Sequence, residues 1–84
     1  MIRLVYFAWV RERIGRAEEA FDLPAGVTTV ADLCDRLADG SEAHAAAFAE
    51  RERLRVAVNQ DHADWSSPVA DGDEVAFFPP VTGG

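Results

Sequence analysis

The spacing of apolar and polar positions changes period several times along the chain, and each change predicts an element. Met1 to Val10 is almost wholly apolar, with Arg3 its one charge, and is rich in β-branched and aromatic residues. That composition predicts a central strand, buried over most of both faces. Period-two alternation sends Ile2, Leu4, Tyr6 and Ala8 one way and Arg3, Val5, Phe7 and Trp9 the other; the uncharged set is expected to face a helix. Arg11-Glu12-Arg13-Ile14-Gly15-Arg16 reads as a charged connection, its arginines either solvated or in contact with the phosphate of a substrate held by a partner. Glu19 to Leu23 then alternates as a second strand with Phe21 and Leu23 inward, which makes a hairpin.

Pro24-Ala25-Gly26 breaks that strand, and Thr28 or Thr29 can cap a helix whose apolar residues Val30, Leu33, Cys34 and Leu37 fall at i, i+3, i+4 and i+7. Asp32 and Asp35 lie near its positive end, Asp32 as an imperfect capping-box partner of Thr29, and Gly40 is placed to end it. The alanine-rich run Glu42 to Arg53 predicts a second helix anchored by Phe48. His44 stands there without a second ligand at helical spacing and is expected on the surface. Leu54 to Gln60 reads as a half-buried strand with Leu54, Val56 and Val58 inward, followed by turn residues Asn59 to Asp61. Ser66 to Val69 is a loop. Asp71-Gly72 turns the chain into a last strand, Glu74 to Phe78, with Val75 and Phe77 toward the core and Ala76 and Phe78 away from it.

Composition narrows the function more than the fold. The 84 residues make one domain, able to bury about 60 to 65% of its unfolded surface, with little room for an internal catalytic cleft. No apolar run approaches the ~20 residues of a membrane span, and the first residues lack the pattern of a secretory signal, so a cytoplasmic protein is expected. The one cysteine, Cys34, lies on the buried helical stripe and reads as a core residue; it excludes an internal disulfide framework and a four-thiolate iron–sulfur cluster. A net charge of -7 opposes nucleic-acid binding and favours a partner with a basic docking surface. All eight basic residues are arginine, so the chain offers no lysine on which copies of itself could be linked. Asp71, Asp73 and Glu74 read as a turn with docking charge rather than a cation site, and no metal site is expected.

After Phe78, Pro79 and Pro80 withhold two consecutive N–H donors and stop sheet pairing. The expected domain is therefore residues 1–80, and residues 81–84 an extended, flexible tail. Val81-Thr82-Gly83-Gly84 can reach roughly 13 Å when extended, and its last two residues have no Cβ, so it suits a narrow pocket in another protein. The α-carboxylate of Gly84 is the candidate working group.

The run Asp71-Gly72-Asp73-Glu74-Val75-Ala76-Phe77-Phe78-Pro79-Pro80-Val81-Thr82-Gly83-Gly84 closely resembles the C-terminus of the sulfur-carrier subunits of molybdopterin synthase, a ubiquitin-like β-grasp family. Leu4 to Glu12, Thr29 to Leu33 and Val56 to Gln60 resemble that family's first strand, first helix and third strand, collinear over nearly the whole chain. The stretch Asp39 to Arg53 resembles nothing in particular. The resemblance implies an α+β fold: a mixed sheet of four to five strands packed on one main helix plus a second. It places the first and last strands parallel and adjacent, so that Val5, Phe7 and Phe78, with Pro79 and Pro80, form a partner interface. An apolar residue commonly stands near position 62 in the family; His62 departs from it.

The implied chemistry resides in partners. An adenylyltransferase of the ubiquitin-activating kind uses ATP and Mg²⁺ to convert the Gly84 carboxylate to an acyl-adenylate, and a sulfur-donor enzyme supplies the sulfur that replaces AMP. The large synthase subunit then receives the tail and directs the sulfur onto a pyranopterin precursor. The chain itself holds no tightly bound cofactor, is not an enzyme alone, and has no nucleic-acid or membrane partner. Two alternatives share part of this reading: a sulfur carrier for thiazole formation in thiamine synthesis, and a plain β-grasp interaction module.

Overall fold

The computed structural model describes residues 1–80, so Val81, Thr82, Gly83 and Gly84 lie outside the described residues. The elements run β1 (Ile2–Tyr6), α1 (Ala8–Ile14), β2 (Glu18–Phe21), α2 (Val30–Gly40), α3 (Glu42–Ala47), a 3-10 turn (Arg51–Arg53), β3 (Arg55–Val58), β4 (Asp61–Ala63) and β5 (Glu74–Phe78). The five strands form one mixed sheet in the order β2-β1-β5-β3-β4, with β1 and β5 parallel and every other pair antiparallel. The parallel central pair is the expected one. This is the α+β architecture of the β-grasp, with helices on one face of the sheet.

The core lies between that face and the helices. Ile2, Leu4 and Tyr6 of β1, Val56 of β3, and Val75 and Phe77 of β5 are buried against Val30, Leu33, Cys34 and Leu37 of α2 and Phe48 beyond α3. The predicted helical stripe is thus the buried one, and Thr29 is its cap: its hydroxyl accepts from the Asp32 N–H at 3.2 Å. Such a cap is worth about 1 kcal/mol. Cys34 is fully buried, and burial pushes its thiol up to about 12, so it is a core residue as expected.

Three sequence expectations need correction. The apolar run from Met1 to Val10 is not one strand: β1 stops at Tyr6, and Ala8–Ile14 is a helix. At Phe7 the useful period changes from two to 3.6, because Val10 and Ile14 can join the core only from one helical face. Ala8, at φ +54, makes the abrupt turn from strand to helix, and Gly15 at φ +92 ends the helix in the left-handed region. The second predicted helix, Glu42 to Arg53, is divided: α3 ends at Ala47, and the chain resumes as the 3-10 turn, so that Phe48 can point into the core. Finally, His44 is not a surface residue, as shown below.

The β3–β4 hairpin closes through Asn59 and Gln60, both at positive φ (51 and 71), the geometry of a two-residue turn that matches the sheet's twist. Asn59 also ties this turn to β5. Its N–H donates to the Glu74 carbonyl at 2.7 Å, and its side chain accepts from the Glu74 N–H at 3.0 Å and donates to Asp73 at 3.0 Å. Gly72, at φ +93, completes the turn into β5.

Candidate functional site

Because side chains alternate along a strand, the register that buries Leu4, Val56, Val75 and Phe77 sends their neighbours to the opposite face. One row there crosses all five strands: Glu18, Val5, Ala76, Ala57 and His62. Phe7 extends the β1–β5 ladder one residue past β1, its N–H donating to the Phe77 carbonyl at 3.1 Å. That sets it in the next row with Phe78 and Arg55. Val5, Ala57, Ala76 and Phe78 are half-buried and Phe7 is 48% exposed. The helices do not cover this face: α2, α3 and α1 pack side by side on the other.

The result is a short apolar stripe with a polar rim, the anatomy of a docking surface. Arg3 pairs with Glu18 at 2.8 Å on one side, and His62 lies on the other with its ring 5.9 Å from that of Phe78. His62 sets an exposed imidazole at this edge of the stripe. The predicted interface residues Val5, Phe7 and Phe78 are therefore brought together. Pro79 and Pro80 follow directly at the end of the stripe, half-buried and outside the ladder. The remaining predicted site residues, Val81, Thr82, Gly83 and Gly84, lie outside the described residues.

On the helix side, Glu19 collects a polar network that the sequence did not reveal. Its Oε2 accepts from the Tyr6 hydroxyl at 2.7 Å and bonds His44 Nε2 at 2.7 Å, while Arg16 lies 3.7 Å from Oε1. Both the Glu19 and His44 side chains are mostly buried. Burial raises the Glu19 carboxyl, but the bonds from Tyr6 and His44 and the nearby charges outweigh it, and its pKa ends below the ordinary value. Tyr6 is pushed well up, by burial first and by Glu19 next. The network locks β1, β2 and α3 together and offers no exposed nucleophile. Among the described residues no group of acidic, histidine or cysteine side chains could hold a metal ion, and no helix is long and apolar enough to cross a membrane.

A second cluster forms on α1, where the sequence pattern predicts strand and charged connection. Trp9 and Arg13 are one helical turn apart, and Arg13 stacks over the Trp9 ring at 5.4 Å while Arg53 approaches it at 5.8 Å. The i, i+4 spacing of Trp9 and Arg13, alongside Val10 and Ile14, was the available signal.

The chain is 45% identical over 84 residues to the molybdopterin synthase sulfur carrier subunit of Escherichia coli (strain K12), covering 100% of both chains. It is 40% identical over 84 residues to the subunit of the same name from Haemophilus influenzae, again over 100% of both. Among solved structures it is similar to a putative molybdopterin converting factor, subunit 1, from Pyrococcus furiosus, with a TM-score of 0.76, 31% identity and coverage of 95% of this chain and 97% of that one. The model of the ThiS family matches residues 4–84, and the chain belongs to that family.

Proposed function

We propose that this chain is the sulfur-carrier subunit of a molybdopterin synthase, working in the cytoplasm through the carboxylate of Gly84. The observation that carries the reading is positional: the open apolar stripe ends where the chain leaves β5, so a partner docked on the Phe7 and Phe78 face meets the chain at Pro79 and Pro80, directly before residues 81–84 in sequence. The β-grasp domain is residues 1–80, and 81–84 are its working tail. Full-length relatives named for molybdopterin synthase favour this branch over thiazole formation.

A free carboxylate is a poor acyl donor. A partner adenylyltransferase joins it to the AMP moiety of ATP, with Mg²⁺, and releases pyrophosphate; sulfide-level sulfur supplied by a donor enzyme then displaces AMP and leaves a thiocarboxylate. In the large subunit that sulfur attacks a carbon of the pyranopterin precursor and displaces an oxygen substituent from it, and water then cleaves the acyl–sulfur bond, restoring the Gly84 carboxylate. The catalytic pocket belongs to the large subunit. This chain supplies the reagent and its alignment, turning an encounter in solution into a reaction between pre-positioned groups.

The test is reconstitution with and without Gly84. The intact chain is expected to gain one sulfur in place of one oxygen, visible by intact mass, and to deliver it. The chain lacking Gly84 is expected to bind the large subunit through the stripe and transfer nothing. Sulfur delivery undiminished by the deletion overturns the proposal.

A further inference from the structure

We propose that Trp9, Arg13 and Arg53 form a docking collar at the root of the tail, which recognises an acidic protein segment at the mouth of the partner's tail-receiving channel. The inference rests on the carrier reading above and adds to it how the carrier is oriented.

The collar's position follows from topology. β5 is flanked by β1 and β3. At the end where the chain leaves β5, β1 continues into α1, which carries Trp9 and Arg13, and β3 is preceded by the Arg51–Arg53 turn. The two arginines on one indole therefore join the elements on either side of the exit. Trp9 is half-buried against the core, whereas both arginines are exposed. Stacking orders the guanidinium planes while leaving their edge donors free for a carboxylate. Among the described residues Arg13 has no acidic partner, and Arg53 has only the exposed Glu50 at 3.3 Å.

Charge is arranged along β5 in the same sense. The strand begins beside Asp71, Asp73 and Glu74 and ends beside Arg55; the elements flanking that end carry Arg11, Arg13, Arg51 and Arg53 against Glu12, Glu50 and Glu52. The chain's net charge of -7 favours a basic partner surface as a whole, and this end, with more arginines than carboxylates, is the local exception. An acidic mouth would select this orientation and repel the reverse one. A small anionic substrate is not what the collar reads, because the six residues from Pro79 to Gly84 separate it from the reacting carboxylate by up to roughly 20 Å when extended.

The experiment is stopped-flow association of the full chain with purified large subunit at low and high salt. Arg13→Glu with Arg53→Glu is expected to slow association about tenfold at low salt, with dissociation little changed, and the difference to vanish near about 0.5 M salt. Rates are measured well below the variant's Tm, which falls because two cation–π contacts to Trp9 are lost as well. Arg13→Lys with Arg53→Lys is expected to retain most of the rate. Arg36→Glu on α2, compared singly with Arg13→Glu, changes net charge equally and is expected to have the smaller effect. Wild-type binding with equal rates for Arg36→Glu and Arg13→Glu, or an unslowed double reversal, overturns the collar and leaves the carrier reading standing. Failure of the wild-type chain to bind the large subunit overturns both.

Discussion

Phe7 is the sharpest place to test whether the stripe is an interface. A phenylalanine side chain presents about 200 Å². With 48% of Phe7 exposed, roughly 100 Å² remains for a partner to cover. At about 25 cal/mol per Å² this is worth about 2.5 kcal/mol. Alanine keeps part of that area, so Phe7→Ala should weaken binding to the large subunit by about 2 kcal/mol, roughly 30-fold in Kd. The covered half of the ring contributes to the fold itself, so the variant should also lose about 1 to 2 kcal/mol of stability. Calorimetric titration well below the variant's Tm separates the two effects. A Kd within threefold of the parent, measured on fully folded variant, refutes the assignment of this face.

Two further outcomes test the frame that carries the site. Gln60 adopts φ +71 in a turn that favours glycine, so Gln60→Gly should raise stability by about 0.5 to 1 kcal/mol in chemical denaturation, with Asn59 left in place. Glu19 has a folded pKa below its unfolded value of 4.5, so its bonds contribute fully above that pH and are lost as pH falls through the depressed folded value. Glu19→Gln should therefore be less stable at neutral pH and should lose less stability on acidification from about pH 5 to pH 3, followed by thermal melts; parallel acid limbs for the two proteins would show that Glu19 is not responsible.

What was legible in the sequence divides according to the physics that fixes each feature. The helical stripe Val30, Leu33, Cys34 and Leu37 and the alternation Val75, Phe77 against Ala76, Phe78 were legible, because burial on one face imposes a period that nothing local contests. The helix at Ala8–Ile14 was not, because Met1 to Val10 is apolar at nearly every position, and such a run satisfies strand and helix periods alike. What decides it is tertiary: Val10 must reach the core, and Ala8 tolerates the left-handed backbone that the turn requires. His44 was misplaced for a related reason. A lone histidine in an alanine-rich helix has no local partner, and its partner Glu19 comes from a strand 25 residues earlier.

The same non-local step made the interface only partly legible. Alternation along β1 and β5, with the two strands parallel neighbours, is enough to place Val5, Phe7 and Phe78 on one face. That Phe7 is also where the strand ends and α1 begins required the fold. This double duty joins the stripe to the collar. A change that shifts the β1–α1 junction at Phe7 and Ala8 moves the apolar stripe and the Trp9 platform together, whereas a change at Arg13 or Arg53 alters the charge beside Trp9 and leaves the stripe in place. Removing apolar area from the stripe is thus expected to speed dissociation and reversing charge at the collar to slow association, so the two are separable by substitution although a single turn of chain supports both.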